Sequence, residues 1–90
     1  MDKPTDTEIS RSFDAGNYDN NVGGMKSLQE ALQKGDAMKH VPEAYTLGFY
    51  SSYERKEMGI EVWLYDKAYH SEVGKRVREL GYIDSRDEKE

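Results

Sequence analysis

Ninety residues suffice for one folded unit but not two, and without a single cysteine the small core gets no help from disulfides or thiolate-bound metal. Eighteen acids against thirteen bases leave a net charge of -5, which disfavours a general electrostatic binder of nucleic acid. No apolar run approaches the ~18 residues of a membrane span, and the opening "MDKPTDTEIS" lacks the apolar centre of a secretory signal, so the cytoplasm is the expected compartment.

Residues 1–5 and 83–90 are charged and have nothing to bury, so they are expected to be disordered ends of a single domain over 6–82. Thr5 and Glu8 have the spacing of a capping box, with Ile9 and Phe13 four residues apart behind it. A helix is predicted from about Asp6 to Ala15, stopped by Gly16-Asn17. "NYDNNVGG" follows as a run of turn formers. Met25, Leu28, Ala31 and Leu32 then share one face of a second predicted helix, which Gly35 ends.

Pro42 suits the first turn of a helix and Gly59 the position just past its end. Val41, Tyr45, Phe49, Ser52 and Tyr53 line up at helical spacing, and Thr46 is the only β-branched residue between that proline and that glycine. A helix with an internal Gly48 is predicted; since glycine there costs about 1 kcal/mol, a close backbone crossing would be its natural use.

Ile60 to Tyr65 is rich in strand formers, yet at about 100° per residue Val62, Tyr69, Val73, Val77 and Leu80 fall on one side. A helix is predicted from Asp66 to Leu80, with Gly81 as its stop. The preferred fold is all-α, a small domain of three to four short helices. The alternative is α+β, a helix–β-hairpin–helix in which 60–65 pairs with 45–53.

The stretch "DNNVGGMKSLQE" resembles the calcium loop of an EF-hand over twelve residues. Asp19, Asn21, Ser27 and Glu30 occupy positions one, three, nine and twelve, and Gly24 occupies position six. The resemblance fails at position five, a glycine without a side chain, and at position eight, where Lys26 replaces an apolar residue. It stands alone in the chain, so a turn-rich linker is the preferred reading over a calcium site at Asp19, Asn21 and Glu30.

Asp66 and His70 lie one helical turn apart, half of a metal site at most, and a surface hydrogen bond is the plainer reading. Ser51, Ser52 and Ser71 sit in no nucleophile elbow, and "GNYDNNVGG" lacks the spacing of a phosphate loop. No cofactor and no enzymatic activity are expected. On the predicted last helix, Lys67, Lys75 and Arg78 fall within about 80° of one another, opposite the apolar stripe. That strip is a candidate for nucleic acid or another anion, although Glu72–Arg76 and Lys75–Glu79 have the spacing of self-neutralising pairs.

Ten aromatic residues are many for so short a chain to hide. Tyr45, Phe49, Tyr50, Tyr53, Trp63 and Tyr65 are therefore the candidates for a protein interface, with a homodimer or a foreign partner. The expected function is that of a small acidic interaction protein that docks on a macromolecule and modulates it without chemistry. Accessory and inhibitor proteins of phages and plasmids are commonly of this kind. The alternative is a nucleic-acid binder using the basic face of the last helix.

Overall fold

The computed structural model describes residues 3–21, 41–51 and 55–83. Among them the chain is all-α. Helix α1 spans Asp6–Asn21, α2 Pro42–Phe49, α3 Val62–Tyr69 and α4 Glu72–Glu79, while two 3₁₀ turns, Arg55–Glu57 and Gly59–Glu61, lead into α3. No strand is present among the described residues, so the hairpin alternative for 60–65 falls: a 3₁₀ turn there passes into α3. The predicted helix from Met25 towards Gly35 lies outside the described residues, as do 1–2 and 84–90 of the two predicted tails.

α1 starts as its sequence dictates. The Thr5 amide donates to Glu8 Oε1 at 2.9 Å and the Glu8 amide to Thr5 Oγ1 at 3.1 Å, closing the capping box. It does not stop at Ala15, however, but runs through Gly16-Asn17 to Asn21. The reason is tertiary. A Cβ on Gly16 would run into the Tyr45 carbonyl and lie 2.8 Å from the Phe49 amide nitrogen, so this glycine serves a helix crossing instead of a helix end. Asn17 and Asn20, turn formers by propensity, send their amides to Ser51 Oγ (2.6 Å) and the Phe49 carbonyl (2.8 Å).

α2 is the centre of the molecule. Every residue from Ala44 to Phe49 is buried, as expected of a helix that is packed all round. Gly48 is its counterpart in the crossing: a Cβ there would strike the backbone of Phe13, so the close approach predicted for this glycine is present. The helix ends at Tyr50, well short of the predicted Gly59. The Asn20 amide of α1 supplies a donor to its last turn, where carbonyls lack intrahelical partners.

The single helix predicted over 66–80 is two helices with a corner at His70–Ser71. Ser71 takes an extended conformation and caps α4: its hydroxyl accepts from the Gly74 amide at 3.0 Å and donates to the Ala68 carbonyl at 2.6 Å. α4 then closes at Gly81, which has φ +86. The Tyr82 amide reaches the Val77 carbonyl (3.2 Å) and the Gly81 amide the Arg78 carbonyl (3.0 Å), the two bonds of a Schellman motif.

The core is largely aromatic. Tyr45 packs on Phe49, Phe49 meets Tyr50 edge-on, Tyr50 meets Tyr65 edge-on, and Tyr65 stacks on Tyr69. Centroid separations of 5.1 to 6.4 Å put each contact in the favourable range for rings. Two of the buried tyrosine hydroxyls find carboxylates: Tyr45 donates to Asp19 at 2.5 Å and Tyr50 donates to Glu61. Phe13 stacks on Tyr82, whose hydroxyl bonds Ser10 and so ties the end of α4 back to α1.

Candidate functional site

Burial divides the six interface candidates. Tyr45, Phe49, Tyr50 and Tyr65 are core residues, so the expectation that they form a docking face is corrected for these four. The sequence could not show that the hydroxyls of Tyr45 and Tyr50 would be satisfied internally, which is what lets such rings go inside. Tyr53 lies outside the described residues. Trp63 alone of the described candidates is open, 58% exposed at the start of α3.

A second open apolar side chain nearby in the chain was not singled out from sequence. Ile60 is 84% exposed in the 3₁₀ turn before α3, the most open large apolar side chain among the described residues. Its strand-forming character drew attention away from its exposure. Only a break in the helix at 58–61 frees it from the apolar stripe, and no sequence signal beyond Gly59 marks that break. Ile60 and Trp63 are three residues apart through the turn into α3, a spacing that brings side chains to the same side. Elsewhere on α3, Tyr65, Ala68 and Tyr69 are buried.

Glu57 before this apolar pair in the chain and Lys67 after it are exposed, and among the described residues neither makes an ion pair or side-chain hydrogen bond. Glu61, between them, is committed to Tyr50. In chain order the exposed residues around this pair are Glu57, Ile60, Trp63 and Lys67.

The basic strip is not continuous. Lys67 belongs to α3, whereas Lys75 and Arg78 belong to α4, and the corner at Ser71 breaks the helical spacing that aligned them. Arg78 is half-buried, its guanidinium 4.5 Å above the Tyr69 ring and 3.2 Å from the Tyr69 carbonyl. Arg76 does not turn to Glu72. It forks onto Asp6 at 2.7 and 2.9 Å and touches Glu79 at 3.2 Å. The hydrogen bonds from Arg76, with its charge, hold the Asp6 carboxyl below the usual carboxylate range.

That ion pair crosses an open groove of about 370 Å³ between the N-terminal segment and α4. Ile9 and Val73 contribute apolar surface to it, and its rim carries acids and bases in equal number: Asp6, Glu72 and Glu79 against Lys3, Lys75 and Arg76. No sign of charge dominates, and no nucleophile with a base partner converges there.

Of the calcium-loop candidates, Asp19 and Asn21 belong to α1, and Asp19 already accepts the Tyr45 hydroxyl. Glu30 lies outside the described residues. No group of three or more potential metal ligands gathers among the described residues. His70 ends α3 with its ring edge-on to Tyr69 at 5.1 Å. No described helix is long and apolar enough to cross a membrane. No protein-family model, curated protein or solved structure matches the chain.

Proposed function

We propose that this chain is a small cytoplasmic interaction module that docks on a protein partner and modulates it without chemistry of its own. The observation that carries the reading is the exposed pair Ile60 and Trp63 on a fold whose other α3 apolar side chains are wholly or partly covered. Tryptophan is a frequent anchor of protein interfaces, and an isolated apolar pair beside charged residues has the pattern of a core with a polar rim. A role on nucleic acid has less support: Arg78 is spent on Tyr69, and a net charge of -5 repels phosphate.

The test is a photo-crosslinking probe placed at position 63 and, as control, at exposed Arg11 on α1. In cells, the probe at 63 should trap a defined protein adduct, either foreign or a second copy, that the probe at 11 does not. Identical adducts, or none, from the two positions would overturn the reading.

A further inference from the structure

We infer that Met58 is a redox-sensitive peg, whose oxidation to the sulfoxide releases the turn over 55–61 from the core. The switch stands on its own geometry; only its bearing on partner binding rests on the docking role proposed above.

Along 56–60 every residue is exposed except Met58, which is 7% exposed and belongs to the apolar core. The backbone that carries it is two single 3₁₀ turns, Arg55–Glu57 and Gly59–Glu61, whose hydrogen bonds are poorer than those of an α-helix. The Glu61 amide reaches the Met58 carbonyl at 3.2 Å. Gly59, between them, stands at φ +62 with nothing within 4 Å of a Cβ added there, so the backbone beside the peg is unpacked. Met58 therefore holds a surface turn inwards, helped by the hydrogen bond from Tyr50 to Glu61.

Opening such a turn uncovers few buried groups, so it costs less than unfolding the domain, and an oxidant reaches the sulfur while α1 and α2 stay packed. The thioether lone pair attacks one oxygen of a peroxide; an S–O bond forms as the O–O bond breaks, and water leaves. The sulfur gives up two electrons and the peroxide takes them. The sulfoxide is polar, and burying it without a donor is unfavourable, so the modified side chain favours water over the core. Ile60 lies on the released turn and Trp63 follows directly at the start of α3, so oxidation changes how the open apolar pair is presented.

The full chain is treated with hydrogen peroxide until mass spectrometry shows Met58 converted, and amide hydrogen exchange is compared before and after. The Glu61 amide should exchange at least about tenfold faster, whereas the Ile9 and Phe13 amides of α1 stay within about twofold. The two methionine sulfoxide reductases, one for each epimer, should restore slow exchange. Met58→Leu, a swap that cores tolerate, keeps Met1, Met25 and Met38, and its Glu61 amide should not respond to peroxide. A Met58 that resists oxidation while the fold is intact, or a Glu61 amide that stays slow after conversion, would overturn the inference. So would protection lost equally over α1, or the same response in Met58→Leu. A turn that responds to peroxide in a chain whose position 63 traps no partner would sink the docking role and leave the switch standing.

Discussion

Replacing Gly48 by alanine separates a glycine used for a close crossing from one that is merely tolerated. At an unobstructed helix position the change should stabilise by about 1 kcal/mol, through helix propensity alone. Here the added methyl would lie 2.8 Å from the Phe13 carbonyl carbon, and nearer still to its oxygen, where ordinary contact begins at 3.4 Å. The obstacle is backbone, which cannot swing aside as a side chain does, so α1 and α2 must part by at least about half an ångström. A gap of that size forfeits about a quarter of the dispersion well at each atom pair across it. Overpacking of cores costs about 1–3 kcal/mol, and a backbone clash belongs at the upper end. After the propensity gain, a net loss of about 2 kcal/mol is expected. For a domain of this size that lowers Tm by roughly 8–16 °C. Thermal unfolding followed by circular dichroism at 222 nm reads it directly. An unchanged or raised Tm would refute the crossing, because it would mean that the two helices leave room for a methyl group.

Two further outcomes follow from the polar contacts. Asp6 has a carboxyl pKa lowered by Arg76, so its ionised form favours the folded state; that stability is present above the ordinary carboxylate value and is lost as pH falls through the depressed one. Asp6→Asn should therefore melt below the parent near neutral pH and converge with it as pH falls through the depressed Asp6 value, and a gap that does not narrow in acid would refute the assignment. Tyr45→Phe removes the donor to Asp19 from a fully buried ring and should cost about 1.5 kcal/mol in urea unfolding, the lower end for a charged acceptor because Asp19 can turn to water. A loss below about 0.5 kcal/mol would show that the bond adds nothing net.

Local signals were legible wherever the chemistry was local. Thr5 and Glu8 cap α1 because the two groups lie within one turn of each other, and Pro42 and Gly81 begin and end their helices because proline fixes φ and glycine alone accepts φ +86 without strain. The all-α class follows from helical spacing of the apolar residues, and Gly48 could be assigned a crossing because no other use offsets its cost. What the local pattern could not supply was the identity of the second surface. Gly16, Asn17 and Asn20 look like a stop signal until α2 and the Ser51 that follows it arrive to occupy the glycine and accept the asparagine amides; then the same residues lengthen the helix. The corner at Ser71 was hidden by an apolar stripe that continues in phase across it, and Ser71 breaks the helix by bonding to Ala68 and Gly74. Most of all, the aromatic surplus pointed outwards on composition, whereas packing rings on rings and turning the Tyr45 and Tyr50 hydroxyls to Asp19 and Glu61 buried most of it and, among the described residues, left Tyr18, Trp63 and Tyr82 outside. Composition limits how much apolar surface a chain carries; only the meeting of helices decides which part of it remains in water.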